Sequence, residues 1–261
     1  MSERWIDLDG LVNMRDLGGL PTLDGGSTVP RRLIRSDNLQ DLTDADVARL
    51  VDEVGVTDVV DLRAETEVHL EGDGPLRRVG SLTHHHHSLL TARPAESAEQ
   101  VAERALLAPS AAERDTRDGA FWAQHYLGYL GRRPDSVSAA LRVVADAAGA
   151  AVVHCAAGKD RTGTVVALAL DVAGVPHEEI VADDVLTGGR VAAIVDRLAE
   201  RASYGPALAR QSVEDQMPRP EAIETILDAL LGQWGGAEGW LRDQGWTIDD
   251  VERLRARLTR P

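Results

Sequence analysis

Ala150-Ala151-Val152-Val153-His154-Cys155-Ala156-Ala157-Gly158-Lys159-Asp160-Arg161-Thr162-Gly163 runs from a short apolar strand into a glycine-containing loop, then into an apolar helix predicted from Thr162 to Ala173 and stopped by Gly174. A loop that opens a helix presents backbone N–H groups with no intrahelical partner, together with the positive end of the helix dipole. That combination is a ready anion site. Gly158 lets the loop curl so that successive N–H groups converge as a nest. At the base of such a nest Cys155 is favoured as the thiolate, the nucleophilic form of the side chain. Arg161, six residues further on, supplies a planar fork able to grip two oxygens of a tetrahedral oxyanion as charge spreads over them. Six fixed positions (His154, Cys155, Gly158, Arg161, Thr162, Gly163) at about 5% frequency each arise by chance on the order of once in 10⁸ starting positions. The competing reading, a buried cysteine in a turn, explains only the cysteine.

Outward from the loop, strands alternate with helices. Val56-Thr57-Asp58-Val59-Val60-Asp61-Leu62 reads as a buried strand. It follows a helix capped by Thr43 to Asp46, running to about Glu53 and ending at Gly55. Val79 to about His86 reads as a further strand, and residues 91–118 as a mobile helical excursion. Phe121 to Leu130 and Ser136 to Ala148 read as amphipathic helices. Residues 176–261 read as wholly helical. The alternation predicts an α/β fold with a mostly parallel sheet in one domain covering residues 1–261.

Composition narrows the partners. Of the 261 residues, 43% are hydrophobic but only 3% aromatic, so the core is mainly aliphatic. A net charge of −15 repels nucleic acid and anionic membrane surfaces at long range, so phosphate affinity has to be local. No apolar run reaches the roughly 20 residues needed to span a bilayer, and the N-terminus does not read as a signal peptide. The expectation is a soluble, cytoplasmic protein without stable membrane insertion and without a nucleic-acid partner. With a single Cys there is no internal disulfide and no cysteine-based zinc site. Lys159 is the only lysine, the other 27 of the 28 basic residues being Arg. A lone Lys four residues from the lone Cys suggests that Arg will not serve there.

The loop resembles the Cys-x5-Arg signature of the protein tyrosine and dual-specificity phosphatases, and its Gly-Lys-Asp-Arg-Thr-Gly ending is similar to a bacterial branch of that family. Asn13-Met14-Arg15-Asp16-Leu17-Gly18-Gly19, Arg35-Ser36, Asp61-Leu62-Arg63 with Glu67, Ile180 to Asp183 and Gly239 to Asp243 also match. The likeness covers most of the chain and is weakest over 84–118. It implies a four-stranded parallel sheet flanked by helices, with Cys155 as nucleophile and Arg161 as phosphate clamp. Ala156, Ala157, Gly158, Lys159, Asp160 and Arg161, with Arg63 and Arg35, would contact the substrate. Helices over roughly 185–217 would cover the site as a lid. The implied substrates are phosphotyrosine and, beside it, phosphoserine and phosphothreonine, with a phosphoinositide phosphatase as the alternative, and no cofactor is called for.

The supporting residues keep two readings each. His154 either orients the loop and helps keep Cys155 ionised, or is a satisfied core histidine. Thr162 donates its hydroxyl to the sulfur, caps the helix, or both. The sequence contains no Trp-Pro-Asp loop, so the general acid is Asp160, beside Arg161, or Asp61, at the carboxyl end of its strand where parallel sheets place ligands. Either carboxylate could instead orient an Arg. Lys159 meets a second phosphate, as a phosphoinositide reading favours, or is merely solvated. His84 to His87 place two imidazoles on each side of a strand, but no carboxylate or Cys nearby completes a metal set. A phosphate-binding protein without turnover is disfavoured by the presence of Cys155, Asp160, Arg161 and Thr162 together.

Overall fold

The computed structural model describes residues 4–107 and 119–260. Its central sheet has five strands: β1 (Arg15–Asp16), β3 (Leu33–Ser36), β6 (Ala150–His154), β4 (Val56–Asp61) and β5 (Thr83–His86), in that spatial order. The four strands from β3 to β5 run parallel, as expected from the alternation. The fifth, β1, was not anticipated: it adds an antiparallel edge, pairing Arg15 with Arg35. A separate ribbon joins β2 (Ser27–Thr28) to β7 (Thr259–Arg260), so the C-terminal region is not wholly helical.

The strands alternate their side chains across the sheet. From β6, Ala151 and Val153 enter one core and Ala150 and Val152 the other. The smaller core is closed by α1 (Asp44–Ala48) and a wider π-helical turn, Arg49–Val54. Gly55 ends that turn at φ +78°. The larger core lies under α4 (Gly119–Arg132), α5 (Pro134–Asp146), α10 (Pro220–Trp234), α11 (Ala237–Asp243) and α12 (Ile248–Leu258). At its centre runs α6 (Asp160–Val172), buried from Asp160 to Leu170 and apolar on every side from Val165 to Leu170. Two short helices, α2 (Glu65–Glu71) and α3 (Ala98–Ala105), follow β4 and β5, and α7 (His177–Val185) follows α6. Within the expected 91–118 excursion, α3 is seen; residues 108–118 lie outside the described residues.

β6 lies between β3 and β4, so the loop after His154 opens at the carboxyl edge of the central strand, where doubly flanked parallel sheets hold ligands.

Candidate active site

The segment Cys155–Lys159 turns from β6 into α6 with Gly158 at φ +66°. A Cβ there would stand 2.5 Å from the Ser36 carbonyl oxygen, so the turn needs glycine for both conformation and space. Every loop carbonyl from Cys155 to Gly158 is held by a neighbour. The His154 ring nitrogen Nδ1 meets the Cys155 carbonyl at 3.2 Å, and the Asn38 backbone N–H donates to Ala156 at 2.9 Å. Asn13 Nδ2 donates to the Ala157 carbonyl at 3.0 Å, and Arg35 Nη2 to Gly158 at 2.9 Å. In a planar trans peptide the N–H points opposite to the carbonyl. Fixing four carbonyls away from the loop therefore turns the N–H groups of Ala156, Ala157, Gly158 and Lys159 the other way. Among the described residues none of these four has a hydrogen-bond acceptor. That is the physical form of an anion nest.

Arg161 stands one residue into α6, with its guanidinium fully buried. It donates Nη1 to Glu67 Oε2 at 2.6 Å and Nη2 to Glu67 Oε1 at 3.1 Å, and also reaches the Ala105 carbonyl at 3.2 Å. Its Nε is buried and has no hydrogen-bond partner among the described residues. Burial opposes the charge, but the Glu67 carboxylate and Cys155 outweigh it and raise the guanidinium well above its ordinary value. Glu67 also accepts the Ala64 N–H at 2.7 Å and the Tyr204 hydroxyl at 3.0 Å. The sequence places Glu67 in a run that matches the family and points to no role for it.

The two candidate acids stand in different settings. Asp160 accepts the Tyr126 hydroxyl at 2.5 Å and lies 3.2 Å from Lys159 Nζ. Asp61 takes a bidentate grip from Arg63, closest at 2.6 Å, and lies 3.7 Å from His154 Nε2. Burial would raise the Asp61 carboxyl, but His154 and the Arg63 bonds prevail and hold it well below the usual carboxylate range. Burial likewise lowers His154 to about 4, so near pH 7 its ring is neutral and Arg63 is the partner that counts. A neutral His154 positions the Cys155 carbonyl and adds no charge beside the sulfur.

Three expectations need correction. Thr162 does not cap α6, because the helix begins at Asp160 with Lys159 in the cap position; the Thr162 hydroxyl is buried without a hydrogen-bond partner among the described residues. Lys159 is not solvated at a rim but buried against Asp160. Arg35 is not free to meet a substrate: besides Gly158 its guanidinium engages Asp183 at 3.0 Å and Asp184 at 2.9 Å. Arg15 joins that cluster through Asp183 and Asn13, so the Asn13-Met14-Arg15 run braces the loop from outside.

A family model described as the tyrosine phosphatase family matches residues 6–260. The chain belongs to that family. A tyrosine-protein phosphatase of Nostoc commune is 34% identical over 51% of this chain, a stretch that spans only 47% of that protein. The triple specificity protein phosphatase PtpB of Mycobacterium tuberculosis is 29% identical over 97% of this chain and 98% of its own length. Family membership implies phosphorylated substrates and the hydrolysis of phosphotyrosine through a phosphocysteine intermediate that is generic to the family.

In this phosphatase the loop is covered. The turn Leu186–Arg190, α8 (Val191–Ala199), α9 (Gly205–Leu208) and the turn Glu214–Gln216 fall within the expected lid range. Ile194, Leu198, Tyr204 and Leu208 pack on Ala156 and Ala157, together with Ala102 and Leu106 from the α3 region. Cys155 is 2% exposed, and the space beside Ala157 and Lys159 under α8 is only about 10 Å³. Arginines strap the cap to the core. Arg197 pairs with Asp37 at 2.7 Å and Asp41 at 3.0 Å, and Arg201 with Asp41 at 2.7 Å and Glu71 at 3.1 Å. On β5, His84, His85 and His86 bond to the Leu76 carbonyl, Asp58 and the Arg63 carbonyl. Among the described residues no cluster of three or more His, Cys, Asp or Glu could hold a metal. No helix among them is long and apolar enough to cross a membrane.

Proposed function

We propose that this member of the tyrosine phosphatase family hydrolyses phosphotyrosine, with phosphoserine and phosphothreonine as secondary substrates, using Cys155 as nucleophile, Arg161 as clamp and Asp160 as general acid. The observation that carries the reading is the row of four unpaired loop N–H groups enforced by Asn13, Arg35, Asn38 and His154. The Cys155 thiolate attacks phosphorus and the ester P–O bond breaks, the loop N–H groups and Arg161 sharing the equatorial charge. Arg161 Nε, buried and unpaired, is the donor free to meet a phosphoryl oxygen while Glu67 holds the other edge of the fork. The leaving oxygen takes its proton from Asp160. A water then attacks phosphocysteine, returning a proton to Asp160 and releasing inorganic phosphate. The Thr162 hydroxyl, without a partner, is available to the departing sulfur.

Asp61 is assigned to orienting Arg63, because a carboxyl held so strongly as the anion is a poor proton donor. Cys155 has almost no solvent contact, so the cap has to move aside before any ester reaches it. The name of the mycobacterial relative ascribes triple specificity to that protein and supports testing a wide substrate range. Lys159 no longer argues for a phosphoinositide, since its charge is spent on Asp160.

The test is parallel turnover of a phosphotyrosine peptide, phosphoserine and phosphothreonine peptides, and soluble phosphoinositides by the wild type and Cys155→Ser. The phosphotyrosine peptide should be the best substrate, and Cys155→Ser should abolish turnover on all. Turnover surviving in Cys155→Ser would exclude the covalent route.

A further inference from the structure

Tyr126 lies on α4, wholly buried, and no feature of the loop motif draws attention to it. Its hydroxyl donates to Asp160 Oδ1 at 2.5 Å across a sequence separation of 34 residues. Lys159 Nζ approaches the same oxygen, Oδ1, at 3.2 Å. Among the described residues Oδ2 accepts no hydrogen bond. The carboxyl group is thus asymmetric: one oxygen accepts the phenol and faces the ammonium, and the other is left over. α4 packs against α6 and α10, and the Tyr126 and Tyr129 rings meet edge-on at 6.0 Å, so the phenol has little room to turn. Burial, reinforced by Asp160, raises the Tyr126 hydroxyl well above its ordinary value, so it remains a donor throughout the working range.

We propose that Tyr126 is a positioning residue for proton transfer, holding Asp160 by Oδ1 so that Oδ2 carries the proton to the leaving oxygen. The inference rests on Asp160 being the acid. In the step, the Oδ2–H bond breaks as the ester P–O bond breaks, and the proton ends on the leaving oxygen. The negative charge left on the carboxylate is met by the Tyr126 hydroxyl and the Lys159 ammonium, already in place and needing no reorganisation. Tyr126 touches neither the phosphoryl group nor the sulfur in this scheme; it acts through Asp160.

The experiment compares kcat/KM, which reports only the steps up to phosphoenzyme formation, on phenyl phosphate, whose leaving group needs a proton, and on 2,4-dinitrophenyl phosphate, whose leaving group does not. It uses wild type, Tyr126→Phe, Asp160→Asn and the double variant. Tyr126→Phe should lower kcat/KM on phenyl phosphate by about 10–100-fold and on the dinitrophenyl ester by less than about 3-fold. In the Asp160→Asn background the same change should cost less than about 2-fold, because the group it positions is gone. Equal losses on both esters, or full additivity with Asp160→Asn, would overturn the positioning role. If Asp160→Asn itself loses equally on both esters, the acid assignment falls and this inference with it; a leaving-group effect confined to Asp160→Asn refutes Tyr126 alone. Should Tyr126→Phe fail to fold, Lys159→Met, which removes the ammonium beside Oδ1, must reproduce the leaving-group pattern, and a uniform loss there counts against the proposal.

Discussion

Glu67→Gln changes two atoms' chemistry and almost no volume, yet it reaches the catalytic arginine directly. Both Glu67 oxygens touch Arg161, Oε2 at 2.6 Å and Oε1 at 3.1 Å, so either orientation of the amide sets an NH₂ against a guanidinium N–H. The oxygen that becomes nitrogen also faces the Ala64 N–H or the Tyr204 hydroxyl, each of which now donates to an acceptor. Breaking a buried ion pair by neutralising one partner costs about 3–5 kcal/mol, because the remaining charge stays buried and uncompensated. For a chain of this size, 1 kcal/mol shifts Tm by about 2–4 °C, so the variant should melt roughly 6–20 °C lower. Tungstate, a tetrahedral oxyanion, brings a counter-charge to Arg161 and should recover more Tm in the variant than it adds to the wild type. Turnover should fall about 100-fold, the scale of misplacing a clamp by an ångström. Differential scanning calorimetry with and without tungstate, beside steady-state kinetics, reads all three. A variant with wild-type Tm and kcat would mean that Glu67 does not hold Arg161 in solution.

Gly158→Ala should cost about 2–4 kcal/mol in chemical denaturation and about 100-fold in kcat, since the new Cβ meets the Ser36 carbonyl at 2.5 Å in a left-handed turn; an unimpaired enzyme would show that the loop tolerates another backbone path. His154, lowered by burial to about 4 from an ordinary 6.5, stays neutral in the folded protein while the unfolded chain takes up a proton, so stability should be full above pH 6.5 and fall by about 3 kcal/mol as the pH drops to 4. His154→Gln should flatten that part of the pH–stability curve, and an unchanged slope would assign it to other groups. Arg201→Ala removes two cap straps worth about 1–2 kcal/mol together and should speed iodoacetamide labelling of Cys155 by about 5–30-fold at low salt. High salt should bring the wild type towards the variant by screening, and equal rates at every ionic strength would exclude electrostatic strapping of the cap.

What could be read from the residues was whatever lies contiguous in the chain. The strand, loop and helix around Cys155 follow one another without a break, and Gly55 and Gly158 announce their turns because only glycine sits easily at their φ values. Two-residue strands such as β1, β2 and β7 carry no periodicity, so their pairing was invisible. The start of α6 was misplaced by two residues because Lys159 fills the cap without a capping side chain, leaving Thr162 inside the helix. Glu67 meets Arg161 across 94 residues and Tyr126 meets Asp160 across 34, contacts that local pattern cannot encode. An aromatic on an amphipathic helix reads as core, and Tyr126 is core; only its hydroxyl makes it more.

The choice between arginine and lysine has a physical logic around this loop. Arg15, Arg35 and Arg161 are each almost wholly buried, and each serves several acceptors at once: Asp183 and Asn13, Asp183, Asp184 and Gly158, Glu67 and Ala105. A planar fork with five donors can satisfy several buried acceptors without water, which a single ammonium cannot. Such pairs add little net stability against apolar replacements of the same size, so what they secure is direction: Arg35 and Asn13 pull loop carbonyls outward, and Glu67 aims Arg161. At position 159 the requirement is reversed. The Tyr126 hydroxyl and the Lys159 ammonium already converge on Asp160 Oδ1, and a fork in place of the ammonium would bring further N–H groups within reach of Oδ2, tying down the oxygen that has to stay free. A compact point charge neutralises the carboxylate from one side and stops there. In a chain that otherwise uses arginine throughout, the single lysine falls where extra donors would interfere with the chemistry.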